Sequence, residues 1–425
     1  MFSYSSRRWM HILLSVSLVL ALFQIHNLIL INDKHGNLSG NGVNSKNDQK
    51  TSSYVPSISI PVRAFPTWYD ETNGLPLPCV INHNESQTYT LRVQNQPSKT
   101  GILFIKIEKA GSSTLAGVQG RIGHVVYLNQ LHNKTLINED GHRVTEGVKP
   151  NAVKSCKLRG MQHSWGFPSW KTLLTRNETR FLWSIVRRPE DRIISQYFHF
   201  NVSRLNSSTS DEDIIEFLQI SKNHNRQTQY LYPNLREIKA IQKIKDPIKR
   251  NLHWQFIVAR ILRSYNFIGT LERLDESLVL LQIIMGLKPS DVIPLTAKQS
   301  TRENELDMNS RGQCNTYVKS FVSPGVKAFL DSYVYFRRYH ESDYMLYEAV
   351  DKSMDATIDL LGRVYFETQL ENFRRAKKFA EENNCTYVSP CLSEGVLRPW
   401  KDITQMCYLA DAGCGHNCLD QLFGT

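Results

Sequence analysis

Long apolar runs are nearly missing from this 425-residue chain, and only one, close to the N-terminus, approaches membrane-spanning length. No GxxxxGK[ST] phosphate loop and no Cys-x-x-Cys pair occurs, which excludes two of the commonest nucleotide-binding and zinc-binding signatures. Glycine and proline number only 22 and 16, and no internal repeat is found, so collagen-like, prion-like and mucin-like chains are excluded. Acidic residues are outnumbered, 40 Asp and Glu against 51 Lys and Arg, for a formal charge of +11. That balance points to an anionic partner: nucleic acid, acidic lipid, acidic glycan or a phosphorylated cofactor. With 41% hydrophobic and 10% aromatic residues, the composition is that of a folded chain, long enough for about one to three domains of ~100–200 residues.

The single long apolar run extends from Trp9 to Ile31, preceded by Arg7 and Arg8. About 20 such residues cross a bilayer, and no small-x-small cleavage site follows Phe23, so the run reads as an uncleaved signal anchor. The two preceding arginines keep residues 1–8 cytosolic and put the rest of the chain in the lumen. Seven Asn-x-Ser/Thr acceptors agree, at Asn37, Asn84, Asn133, Asn177, Asn201, Asn206 and Asn384. The cysteines agree too: there are eight, and Cys385, Cys391, Cys407, Cys414 and Cys418 crowd the C-terminus, as in a disulfide-tied segment from an oxidising compartment. Four bridges are possible and the pairing is open. The rival arrangement is a zinc site of Cys407, Cys414, His416 and Cys418, but its spacing is irregular.

Residues 32–98, rich in Asn, Ser, Gly and Pro, read as a lumenal stem. From residue 99 to 425 strand-like runs alternate with helical patterns, which predicts one layered α/β domain with a mainly parallel sheet and a Cys-rich segment at 385–418. The stretch Asp211 to Leu218 reads as an acidic helix start, and the basic stretch Lys239 to Arg250 as a solvated helical face.

Two segments carry chemistry. In the first, Ile102 to Ile107 reads as a buried strand, and Leu115, Val118 and Ile122 recur at helical spacing. The short turn between them holds Lys109 and Gly111, and the helix opens with Ser112, Ser113 and Thr114. Such a turn aims backbone N–H groups, hydroxyls and one cation at an anion. In the second, the strand Phe181 to Val186 delivers Arg187 to its C-terminal end, where α/β sheets bind ligands; Pro189 then opens a helix carrying Ser195. Arg187 has the planar fork suited to a phosphate, and Ser195 can add a hydroxyl donor.

Lys109-Ala-Gly-Ser-Ser-Thr followed by Arg187-x-Pro-x-x-Arg192-x-x-Ser195 resembles the two cofactor-binding motifs of the membrane-bound Golgi carbohydrate sulfotransferases. Three fainter echoes extend the resemblance over about residues 101–354: Asn225-Arg-Gln-Thr-Gln-Tyr-Leu, Phe267-Ile-Gly-Thr-Leu-Glu-Arg-Leu-Asp-Glu-Ser-Leu and Asp343-Tyr-Met-Leu-Tyr-Glu. The galactose 3-O-, uronyl 2-O- and glucosaminyl 6-O-sulfotransferase groups are all similar. The resemblance implies a P-loop-like sulfotransferase fold and 3′-phosphoadenosine 5′-phosphosulfate as sulfuryl donor, with no metal. The first loop, with Lys109, Gly111, Ser112, Ser113 and Thr114, would cradle the 5′-phosphosulfate; Arg187 and Ser195 would hold the 3′-phosphate. Lys109 matches the family lysine that stabilises the leaving group, and Lys106 is a further candidate contact. His163, in Arg159-Gly-Met-Gln-His-Ser-Trp, matches the family's histidine base, with Glu108 and His124 in reserve. Arg188, Ala110 and Glu108 depart from the residues common at their positions.

The resemblance further implies a glycan acceptor, on glycoprotein, glycolipid or glycosaminoglycan, a type II Golgi membrane protein, and no nucleic-acid partner. Lys298, Arg302 and Arg311 fall in a loop that reads as solvated. Two other classes compete, a lumenal P-loop-type phosphotransferase and a non-catalytic membrane-anchored glycan-binding protein. The anchor has its own check: the full chain should stay with membranes through an alkaline carbonate wash, and removal of its N-linked glycans should increase its electrophoretic mobility. Release by the wash, or unchanged mobility, contradicts the lumenal reading.

Overall fold

The computed structural model describes residues 60–65, 99–132, 161–163, 179–220, 223–232, 234–295, 305–308, 314–332, 334–385, 391–393, 395–397 and 416–424. All belong to one compact unit, Ser59–Thr425. The apolar run 9–31, Lys298, Arg302, Arg311, Cys407, Cys414 and the acceptors Asn37, Asn84, Asn133 and Asn177 lie outside the described residues. Among the described residues no helix is long and apolar enough to cross a membrane.

The chain alternates strands and helices, as its apolar patterning predicts. Strand β1 (Lys99–Lys106) leads into helix α1 (Ser112–His132), and the short strand β2 (Met161–His163) into β3 (Thr179–Val186). Helices α2 (Pro189–Tyr197), α3 (Asp211–Gln219), α4 (Arg226–Leu231), α5 (Leu235–Gln242) and α6 (Pro247–Ser264) follow, then β4 (Phe267–Thr270) and α7 (Leu274–Met285). The hairpin β5 (Glu305–Met308) and β6 (Cys314–Tyr317) precedes α8 (Pro324–Asp331), α9 (Glu341–Leu361) and α10 (Arg363–Glu382). The pair β7 (Cys391–Ser393) and β8 (Val396–Leu397) and helix α11 (His416–Phe423) complete the described elements.

Among the described residues four strands form one sheet in the order β2-β1-β3-β4, every pair parallel. A parallel sheet is covered on both faces, so its strands are apolar throughout instead of alternating. Phe104 to Ile107, Trp183 to Val186 and Phe267 to Thr270 are buried accordingly. Phe104 packs on Trp183 with ring centroids 4.4 Å apart, and the Trp183 indole N–H donates to Gln119 Oε1 at 2.7 Å, satisfying the one polar atom of that ring. A second apolar cluster, around Ile193, Tyr197, Phe217 and Val326, joins α2 to α3 and α8.

Several expectations are refined. The acidic stretch does open a helix, α3, capped by Ser210, whose Oγ accepts from the Asp213 N–H at 3.2 Å. The basic stretch is not one solvated helical face. It breaks at Asp246, whose side chain caps α6 by accepting from Ile248 N and Lys249 N, and Arg250 is half-buried in a two-pronged pair with Glu341 at 2.7 and 3.1 Å. Within the segment read as a stem, residues 60–65 pack into the body. The Phe65 N–H donates to Thr357 Oγ1 at 2.9 Å, the Arg63 guanidinium reaches Leu262 O, and the Phe65 ring lies edge-on to Phe267. Among the described residues, two disulfides join Cys314 to Cys391 and Cys385 to Cys418. The second occupies one of the four ligands that the rival zinc arrangement required.

Gly269, mid-strand in β4, shows why the sheet accepts α7 so closely. A Cβ there would lie 2.6 Å from Ser277 Cβ and 2.7 Å from Ile185 Cδ1. The gap lets the Ser277 hydroxyl accept from Thr270 N at 3.0 Å and donate to Thr270 O at 2.9 Å. Gly269→Ala is therefore expected to destabilise the protein by about 1–3 kcal/mol through overpacking, read as a lowered urea midpoint; an unchanged midpoint contradicts the close approach.

Candidate functional site

The C-terminal ends of β1, β2, β3 and β4 share one edge because the strands are all parallel, and the two chemistry-bearing segments both leave the sheet there. The chain leaving β1 turns through two left-handed residues, Lys109 at φ 63° and Gly111 at φ 68°. At Gly111 this conformation suits glycine, and space is short as well, since a Cβ would lie 2.6 Å from Leu271 Cδ1. Lys109 adopts it at a steric cost, a mark of a backbone held by its surroundings. The Ala110 N–H donates to Ile107 O at 3.3 Å, and the Leu115 N–H donates to Gly111 O at 3.1 Å as α1 begins. No acidic residue sits in the first turn of α1, the place where one would offset the helix's positive end. Ser112 and Thr114 are buried there, and Ser113 and Gly111 are half-buried.

The two segments meet directly. The Arg187 guanidinium, one residue past β3, donates through Nη1 to the Lys109 carbonyl at 3.1 Å. The cation on the second segment therefore fastens the strained residue of the first. Burial lowers the Arg187 pKa, against the opposing pull of Asp191 and Glu272. His163 enters by register: in β2 it stands opposite Lys106, the last residue of β1, at the same edge. Lys106 itself is buried. Ser195 is buried in the second turn of α2, the helix that follows Arg187 in the chain. Glu108, next to Lys109, is half-buried.

Three residues at this edge had no role assigned from sequence. Glu272 follows β4, and its Oε1 accepts from the Arg188 N–H at 3.0 Å; burial raises its pKa above the usual 4.5. Gln227 and Asp343 belong to the faint sequence echoes, and their contacts explain why those segments matter. The Asp343 carboxylate, fully buried, accepts from Gln227 N at 3.0 Å and from Thr228 N and Thr228 Oγ1 at 2.8 Å, capping α4. Asn225 returns the favour to α9, its Oδ1 accepting from Ser342 N at 3.1 Å and Asp343 N at 3.4 Å. Two helix N-termini thus exchange caps across more than a hundred residues. Arg192, fully buried beside Asp343, donates through Nη1 to Gln196 Oε1 at 2.8 Å. The only sequence signal for these residues was the echo itself, because polar side chains serving distant backbone atoms leave no periodic trace.

Among known proteins, no protein-family model and no curated sequence matches the chain.

The site assembled here is a strand-turn-helix with a glycine approach, a strained lysine, a half-buried arginine fastened to that lysine's carbonyl, and a histidine at the neighbouring strand end. Such an arrangement suits a phosphate-bearing or sulfate-bearing ligand. Glu272 supplies a test of its electrostatics. Its raised pKa means the folded state holds the proton more tightly than the unfolded state. Wild-type stability contributed by this group is therefore full below pH 4.5 and lost as pH climbs from 4.5 through the folded value. Glu272→Gln keeps an oxygen for the Arg188 N–H and does not titrate, so its stability relative to wild type should rise over that same window. A flat or falling difference in chemical denaturation against pH contradicts the assignment.

Proposed function

We propose that the chain transfers a sulfuryl group from 3′-phosphoadenosine 5′-phosphosulfate to a sugar hydroxyl of a glycan. The observation that carries this reading is the hydrogen bond from Arg187 to the carbonyl of Lys109, which brings the two motif segments together at one edge of the sheet. Without it the two motifs are only a likeness of letters.

In this reading the turn at Lys109 to Gly111 and the first turn of α1, with Ser112, Ser113 and Thr114, bind the 5′-phosphosulfate. Arg187 answers the 3′-phosphate, with Ser195 as the second contributor named by the resemblance. The acceptor oxygen attacks sulfur, the bond from sulfur to the bridging phosphate oxygen breaks, and the acceptor proton passes to His163. Negative charge grows on that leaving oxygen, so a fixed cation at Lys109 stabilises the transition state more than the ground state. His163 is suited to the base role because an imidazole exchanges its proton near neutral pH. The donor supplies the activated sulfuryl group; the residues above bind it, orient it and move one proton. The lumenal, membrane-anchored setting belongs to the same proposal, and the surplus of basic residues fits a doubly phosphorylated nucleotide and an anionic acceptor.

The test is direct. The purified chain, given donor labelled in its sulfuryl group and a panel of glycans, should pass label to a sugar. Lys109→Ala and His163→Ala should each lower turnover by about 10²-fold or more, as for loss of one transition-state donor or a general base. Arg187→Ala should mainly weaken donor binding. Transfer from labelled ATP alone, or glycan binding with no transfer from either donor, overturns the reading in favour of a phosphotransferase or a binding protein. Full turnover in His163→Ala removes that residue from the base role.

A further inference from the structure

Past the end of β3 the backbone of Arg187 has no strand to pair with, because β4 gives its last ladder contacts to Val186 through Thr270 and the Leu271 N–H. A buried N–H and C=O at such a point need other partners. Both come from one side chain. Gln227 Oε1 accepts from Arg187 N–H at 2.8 Å, and Gln227 Nε2 donates to Arg187 O at 2.7 Å. The fully buried carboxamide therefore imitates one residue of a neighbouring strand and fixes the peptide planes on either side of the Arg187 Cα. Its own backbone is held in turn, since Gln227 N donates to Asp343. The only degrees of freedom left to Arg187 are its side-chain torsions, and Nη1 is tied to Lys109 O.

The geometry points to Gln227 as a positioning residue that sets preference for a nucleotide carrying a 3′-phosphate. It touches no ligand atom; it aims the guanidinium that does. This role rests on the sulfuryl-transfer reading, in which Arg187 answers that phosphate. An amide is required here because one donor and one acceptor must face one acceptor and one donor. Glutamate keeps the acceptor for Arg187 N–H but turns an oxygen toward Arg187 O, and methionine, of similar length, offers neither. A displaced guanidinium costs binding steeply, because the loss of a hydrogen bond to a charged group is worth on the order of 10- to 10²-fold.

Calorimetry on the full chain with adenosine 3′,5′-bisphosphate and adenosine 5′-phosphate tests this. The wild type should prefer the bisphosphate, and Gln227→Met should lose that preference by up to roughly a hundredfold with affinity for the monophosphate little changed. Gln227→Glu should behave alike, and the two variants guard against failure of either one to fold. Phenylglyoxal labelling of Arg187, followed by mass spectrometry without any nucleotide, should be faster in both variants than in wild type. A wild-type chain with no preference for the bisphosphate overturns the sulfuryl-transfer reading and this role with it. A wild-type preference retained in both variants, or an equal loss for both nucleotides, overturns the role of Gln227 and leaves that reading standing. Unchanged labelling of Arg187 likewise shows that Gln227 does not hold it.

Discussion

A carboxylate sealed from solvent, Asp343, accepts three hydrogen bonds from the first turn of α4, and the contacts at the C-terminal edge of the sheet depend on it. Removing a carboxylate from water is costly, and here burial raises its pKa despite Arg192 and the three donors. The expense is offset by what the contact fixes: α4 is docked on α9, Gln227 is brought to the end of β3, and Arg187 is held against the turn after β1. Each link is short, at 2.7 to 3.1 Å. A site built this way gains its accuracy from backbone atoms and not from loops free to move.

The parallel sheet explains why so small a set of strands suffices. Four strands ending on one side bring together residues from four separate stretches of sequence: His163, Arg187, Glu272 and the turn at Lys109. Helix α1 then points its positive end across the same edge. Charge at the edge is mixed instead of purely basic, since Glu108, Glu272 and Asp191 stand near Arg187 and Lys109 or beside them in sequence. Asp191 and Glu272 offset part of what the half-buried Arg187 loses by leaving water.

How much of this was legible in the sequence differs from element to element. Strands β1 and β3 were plain, because a buried parallel strand is a continuous apolar run and both runs end at charged residues. Strand β2 was not, because Met-Gln-His is too short and too polar to show a period, and it is a strand only by virtue of pairing with β1. The meeting of Lys109 with Arg187 was expected only through the family likeness; spacing alone says nothing about two segments 78 residues apart. Gln227 and Asp343 were visible as letters without a task, since their partners are main-chain atoms 40 and 116 residues away. Breakage of the basic stretch at Asp246-Pro247 was readable in principle as an N-cap followed by proline, and charge patterning drew attention away from it.

Arg121 of α1 is wholly buried, donating through Nε to Ser290 O at 2.9 Å and through Nη1 to Asp420 Oδ1 at 2.6 Å. Its counter-ion, on α11, lies 299 residues further along the chain. The helix that follows the Lys109 turn is thus pinned to the far end of the described fold, and cutting that tie by removing the carboxylate leaves a buried cation unpaired, at about 3–5 kcal/mol.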